Sequence, residues 1–182
     1  MPPEEGKTSF WHELWELIRV LLISLVVVIP IRVFVAQPFI VKGASMEPNF
    51  HGGEYLIVDQ LSFRLRSPHR GEVIIMRYPF NPSIFYIKRI AGLPGETVII
   101  REGRVRVRTG EGPETVLEEL YLKSGIVTAP DKIVELKGDE YFVLGDNRTD
   151  SSDSRVWGVL NEDFLVGRTL LRLWPVTKIG IL

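Results

Sequence analysis

Residues 84–108 read Ile84-Phe85-Tyr86-Ile87-Lys88-Arg89-Ile90-Ala91-Gly92-Leu93-Pro94-Gly95-Glu96-Thr97-Val98-Ile99-Ile100-Arg101-Glu102-Gly103-Arg104-Val105-Arg106-Val107-Arg108. Short runs of β-branched and aromatic residues suit a pleated, half-buried surface, and here they are punctuated by turn residues. Leu93-Pro94-Gly95 supplies a turn, and Glu102-Gly103 is a tight two-residue hairpin connection. The stretch therefore predicts strands at 84–91, 97–101 and 104–108. Along the first of them, side chains alternate, so Tyr86, Lys88 and Ile90 share one face while Phe85, Ile87 and Arg89 share the other.

The same pattern extends outward in both directions. Strands are expected at 39–42, 55–59, 73–77, 116–121, 132–135, 140–144 and 167–174, with a looser turn at Gly110-Glu111-Gly112-Pro113. The expected fold is a mostly β ectodomain, residues 37–182, built from antiparallel sheets around one core. At 182 residues there is room for one such domain after an N-terminal segment is set aside.

That segment has a different composition. Residues 1–9 are polar, carry Pro2, Pro3 and Gly6, and read as a disordered tail. From Phe10 to Ala36 the chain is apolar, and the centre, 20–31, holds only Ser24 as a polar side chain. A bilayer core of about 30 Å needs about 20 helical residues, so the flanks must complete the span. Trp11 and Trp15 suit an interfacial belt, and Arg19 and Arg32 can snorkel. A membrane anchor is expected over 10–36, with the transmembrane helix at about 14–36. A cleaved signal peptide and a buried core helix fit less well; for the former the start is acidic and the apolar run, longer than such a peptide needs, ends at Val35-Ala36-Gln37-Pro38-Phe39. Lys7 and Arg19 on one side against Arg32 and Lys42 on the other leave the orientation open by charge counting.

Composition narrows the chemistry. With 22 basic and 23 acidic residues the net charge is −1, which gives no field for holding nucleic acid. The absence of cysteine removes disulfides, thiol nucleophiles and thiolate metal sites together. His12, His51 and His69 show no paired spacing, so no metal site is expected. His51 stands in Phe50-His51-Gly52-Gly53, which reads as a turn and not as the base of a Ser-His pair.

What remains is a hydroxyl and an amine. Ser45 lies in Gly43-Ala44-Ser45-Met46-Glu47-Pro48, just beyond the apolar segment. A serine attacks only when a base removes its proton, and a lysine serves when its surroundings keep it neutral. Lys88, among apolar strand neighbours, fits that demand, although a snorkelling surface lysine fits the same pattern. Lowering its pKa from about 10.4 toward 7 corresponds to roughly 4–5 kcal/mol. A third block, Gly145-Asp146-Asn147-Arg148-Thr149-Asp150-Ser151-Ser152-Asp153-Ser154-Arg155-Val156-Trp157-Gly158, is either a solvated turn or a clamp in which Asp153 pairs with Arg155 while a serine hydroxyl holds a buried amine.

Taken in order, these blocks resemble the bacterial type I signal peptidases, membrane-anchored Ser-Lys proteases. The resemblance covers the apolar anchor, the Ser-Met-x-Pro block, 53–59, 70–74, the Tyr-Ile-Lys-Arg-Ile-Ala-Gly-Leu-Pro-Gly block and the Gly-Asp-Asn-Arg loop. It implies that Ser45 is the nucleophile, Lys88 the general base, Ser151 the hydroxyl that orients the lysine, and Asp153 with Arg155 its supporting ion pair. Met46 and Pro48 match positions that shape the turn beside the nucleophile. One departure concerns the oxyanion hole: where some members carry a serine two residues before the nucleophile, this chain has Gly43, so the hole must rest on backbone N–H groups, chiefly that of Ser45.

The resemblance further implies no cofactor and no obligate protein partner. Its implied substrates are exported preproteins whose signal peptides end in small residues, bound as an added strand. The implied location is the bacterial cytoplasmic membrane, single-pass, with the catalytic domain outside and in touch with lipid. Phe39, Phe80, Ile84 and Phe85 are candidates for an apolar rim facing that lipid. Two other readings share parts of the pattern. A self-cleaving Ser-Lys repressor would need a DNA-binding domain where this chain has an apolar anchor, and a noncatalytic membrane-tethered module would use a sheet edge to hold peptides.

Overall fold

The computed structural model describes residues 10–30 and 36–182. Helix α1, Phe10–Pro30, precedes a set of twelve strands. These are β1 (Ala36–Ile40), β2 (Tyr55–Asp59), β3 (Val73–Tyr78), β4 (Asn81–Gly92), β5 (Glu96–Arg101), β6 (Arg104–Thr109), β7 (Thr115–Val116), β8 (Lys132–Glu135), β9 (Glu140–Leu144), β10 (Leu160–Asn161), β11 (Leu165–Trp174) and β12 (Gly180–Ile181). Two four-residue α-helices, α2 (Ser62–Leu65) and α3 (Ser154–Trp157), and two 3-10 turns, Glu162–Phe164 and Val176–Lys178, complete the set.

The strands form two antiparallel sheets. The larger runs β1-β2-β11-β3-β4-β9-β10, with β12 added to β11, and the smaller runs β7-β6-β5-β8. Arg101 pairs with Arg104 across Glu102-Gly103, and both loop residues have positive φ, the geometry of a two-residue hairpin matched to strand twist. The expected mostly β, antiparallel architecture is thus the observed one.

Alternation along β4 divides the core. Ile87 joins Met46, Phe50, Leu56 and Ile75 in one buried cluster, whereas Ile90 packs with Ile74, Tyr141 and Val143 in another, with Tyr86 against it. A third cluster, built on Val98, Ile100, Val105 and Phe142, ties the small sheet to the large one. Long β4 serves both sheets, because its C-terminal end leads directly through the 93–95 turn into β5.

Two expectations are corrected in detail. The strand expected at 116–121 is paired only over Thr115–Val116, because the chain beyond leaves the sheet and carries Glu119 to the buried Arg148. The first strand sits at Ala36–Ile40 and not 39–42, where Val41 instead exchanges backbone bonds with Glu54 and Gly53. The short β10 and β12 have no two-residue signature in the sequence.

For the N-terminal segment, no helix among the described residues is long and apolar enough to cross a membrane. Helix α1 carries Glu13, Glu16 and Arg19 in its first half. The expected tail, 1–9, and part of the expected span, 31–35, lie outside the described residues.

Candidate active site

Ser45 sits in a tight turn closed at its base by Val41 N–H donating to the Glu54 carbonyl (2.9 Å) and Gly53 N–H to the Val41 carbonyl (2.9 Å). The turn is nailed to the domain by its apolar residues. Met46 and Phe50 are 1% and 4% exposed, so the residue next to Ser45 points into the core and leaves the Ser45 side chain at the surface of that core, half-buried. The Glu47–Pro48 peptide is cis. Gly43, two residues before Ser45, has φ +79°, a conformation that strains any residue with a Cβ, so a hydroxyl side chain at 43 would demand a different backbone.

Lys88 comes from β4, where it pairs with Ile74 and is 3% exposed. Its Nζ lies 2.8 Å from Ser45 Oγ and donates to its neighbour's carbonyl, that of Ile87, at 2.9 Å. Beneath it is the Tyr86 ring, 5.2 Å from Nζ to centroid. No carboxylate forms an ion pair with the amine among the described residues. Burial therefore drives the pKa down from 10.5 to about 8; the carboxylates of Asp153 and Asp146 pull it back up from a distance, and Arg155 pushes with the burial. That descent corresponds to about 3 kcal/mol, smaller than the 4–5 kcal/mol expected from the sequence, and it leaves about one amine in ten neutral at pH 7.

The 145–158 block is not a solvated turn: Asp153 and Arg155 pair within it, but no hydroxyl of this loop bonds Lys88. Asp153, fully buried, receives Arg155 Nε and Nη2 at 2.8 Å each and the Gly145 N–H at 3.0 Å. Burial alone would raise this carboxyl, but the Arg155 guanidinium, the Gly145 N–H and the nearby Ser151 hydroxyl hold it below the usual carboxylate range. Arg155 Nη1 also donates to the carbonyls of Ala129 and Arg148, at 2.9 and 2.7 Å. Ser151 Oγ is buried yet meets no partner at hydrogen-bond geometry, neither Asp153 nor Lys88. Its neighbourhood is fixed by Gly145, where an added Cβ would stand 2.2 Å from Ser151 Oγ and 2.4 Å from the Ser45 carbonyl oxygen. The loop thus packs directly on the nucleophile turn because residue 145 has no side chain.

Several residues of the site were not singled out by sequence reasoning. Asn147 donates its N–H to the Ser45 carbonyl at 3.0 Å and its Nδ2 to the Ala44 carbonyl at 3.2 Å. Asp146 takes Arg89 Nε and Nη2 at 2.8 and 2.6 Å and Asn49 Nδ2 at 2.8 Å. One carboxylate therefore joins the residue after Lys88 to the turn that bears Ser45. Their signal was present, since Asp146, Asn147 and Arg89 all stand inside the quoted blocks, but a pairing across 57 residues has no local signature.

His51, by contrast, faces Glu54 (3.5 Å) and has no contact with Ser45. The Ser45 N–H makes no hydrogen bond among the described residues, so that donor is available to a ligand.

Around this pair is a cleft of about 860 Å³. β1 and β4 form its walls, with Phe39 and Phe85 meeting edge to face at 5.4 Å and Leu56 and Ile75 below. β9 pairs with β4 only over 89–92. Residues 81–88 of β4 consequently keep one edge open, the arrangement that accepts an added peptide strand.

A half-buried hydroxyl within proton-transfer distance of a desolvated amine, next to an open strand edge, has the chemistry of a serine hydrolase acting on peptides. The family model described as "Signal peptidase, peptidase S26" matches residues 14–174, and this chain belongs to that family of serine proteases. A "Probable signal peptidase I-2" from Synechocystis sp. is 36% identical over 196 residues, covering 100% of this chain and 79% of that protein. A "Signal peptidase I" from Leptolyngbya laminosa is 37% identical over 177 residues, covering 92% and 83%. A crystal structure of a signal peptidase I from Enterococcus faecalis V583 aligns over 57% of this chain and 97% of that chain, with 28% identity and a TM-score of 0.48.

Proposed function

We propose that this chain is a membrane-bound endopeptidase that removes signal peptides from exported preproteins, with Ser45 as nucleophile and Lys88 as general base. The observation that carries the reading is the 2.8 Å approach of Lys88 Nζ to Ser45 Oγ together with an amine lowered to about 8 by burial. A neutral Nζ accepts the Oγ proton as oxygen attacks the scissile carbonyl. The same proton passes to the departing amine as the C–N bond breaks. Water, deprotonated by the regenerated amine, then releases the acyl group from Ser45. The unpaired Ser45 N–H is the donor suited to the oxyanion.

In this reading Asp153 and Arg155 hold the loop that packs on Ser45. Ser151 is assigned to orienting Lys88 by the family resemblance, its buried hydroxyl being unbonded, and Met46 and Pro48 shape the nucleophile turn. No cofactor takes part.

The anchor, residues 14–36, is part of the same proposal. It is supported by the lack of protein cover over α1: Val20, Leu21, Leu22, Ile23, Leu25 and Val26 are all at least half exposed, and lipid is the surrounding that makes such a surface stable. Phe80, Ile84 and Phe85 are exposed as well, and Ile84 and Phe85 line the cleft. Confining enzyme and membrane-inserted substrate to one bilayer raises their effective concentration without added affinity. The proposed setting is the outer side of the bacterial cytoplasmic membrane.

The test is acylation of Ser45 by a mechanism-based inhibitor followed against pH. The rate is expected to rise through pH about 8 and to vanish in Lys88→Ala. Acylation of the Lys88→Ala protein at the unmodified rate rejects the mechanism.

A further inference from the structure

The cleft is chemically two-sided. On the side reached by β1 and the N-terminal half of β4, its lining is largely apolar, with Phe39, Ile84 and Phe85 prominent. Beyond Lys88 the neighbour of β4 changes. β9 pairs with Arg89 through Leu144 and then runs into the 145–153 loop, which brings Asp150 and Ser152 to the other end of the same cleft. Both are exposed, and Asp150 has no ion-pair partner among the described residues. It differs in this from the buried Asp146 and Asp153, whose charges are already taken by Arg89 and Arg155.

A peptide added along the open edge of β4 passes the dyad and then meets this loop. On the peptidase reading, the half that becomes the acyl group lies along the apolar walls. Its leaving half crosses a wall that carries an unneutralised carboxylate. Resting on the peptidase reading above, we propose that Asp150 is a specificity-determining residue for the leaving side of the substrate. It favours cationic and disfavours anionic side chains in the first residues after the scissile bond. The interaction is between exposed charges, so it acts mainly through Coulomb energy and weakens with salt. It is separate from the chemistry of the base, because the charges that act on Lys88 are those of Asp153, Asp146 and Arg155.

The test uses the full chain in detergent and three preprotein-derived substrates that are identical except for Lys, Gln or Glu at the second residue after the scissile bond. At low ionic strength kcat/KM is expected to fall in the order Lys, Gln, Glu, with about a three- to tenfold span between the ends. The span should shrink in about 0.5 M salt, where the Debye length falls to roughly 4 Å. Asp150→Asn should flatten the series and Asp150→Lys reverse it, while the pH dependence of the Gln substrate stays where it is. Equal rates for the three substrates in the unmodified protein, or an unchanged order in Asp150→Lys, overturn this inference and leave the peptidase reading standing. Absence of Ser45-dependent cleavage of the Gln substrate overturns both.

Discussion

Two buried cationic side chains stand close to the nucleophile turn and are treated in opposite ways. Arg155, in the loop, meets the Asp153 carboxylate through two 2.8 Å bonds and two further carbonyls. Lys88, on the strand, is just as buried but has only a hydroxyl and one carbonyl within reach. Burial penalises the charged form of both. Where a carboxylate is in contact, the pair becomes a structural clamp. Where carboxylates act only from a distance, the charge is given up from about pH 8 upward and the neutral amine is a base.

Removing the reacting groups should separate these regions most sharply. Ser45→Ala and Lys88→Ala are each expected to lower kcat/KM by at least about 1,000-fold with near-native circular dichroism, since each takes out a member of an interdependent pair. The clamp should behave in the reverse manner. Asp153→Ala leaves Arg155 buried and unpaired and is expected to cost about 3–5 kcal/mol in denaturant unfolding, with activity lost through the fold.

The strand amine makes the opposite prediction for stability. A folded-state pKa of about 8 against 10.5 means that the folded protein binds fewer protons than the unfolded chain between those values. Stability from this group therefore rises as pH increases from about 8 to 10.5. Below pH 8 both states are protonated and the full penalty is present. Lys88→Met is accordingly expected to stabilise the protein by up to about 3 kcal/mol at pH 7, with the gain shrinking toward zero above pH 10. Equal unfolding curves at both pH values would mean that burial does not act on Lys88 as described.

The junction between loop and turn provides a smaller test. Gly145→Ala places a Cβ 2.4 Å from the Ser45 carbonyl oxygen and 2.2 Å from Ser151 Oγ, so something must shift. About 1–3 kcal/mol of destabilisation is expected from such overpacking. Activity should fall further than the unfolded fraction explains, because the displaced group adjoins the nucleophile.

The sequence made these two regions legible to different degrees. Alternation along 84–91 assigned Lys88 to the face of Tyr86 and Ile90, and the 2.8 Å contact with Ser45 agrees with the pairing inferred from motif order. The Asp153–Arg155 pair lies two residues apart and was equally readable. Contacts that join distant segments were not: Arg89 with Asp146, Asn49 with Asp146, and Asn147 with the Ser45 carbonyl depend on sheet order, which sets β9 and the loop after it beside β4. The expected strand at 116–121 failed for a similar reason, since buried Arg148 recruits Glu119 and overrides local β propensity. Ser151 was assigned to Lys88 by resemblance alone, and its hydroxyl is placed beside Gly145 without a hydrogen bond.

The most direct test of the whole account is an NMR titration of the lysine side chains in the intact protein, with Lys88→Met used to assign the resonance. A single lysine titrating near pH 8, absent from the variant, is the predicted result. Titration of Lys88 together with the remaining lysines near pH 10.5 would contradict the proposal that this amine is the base for Ser45.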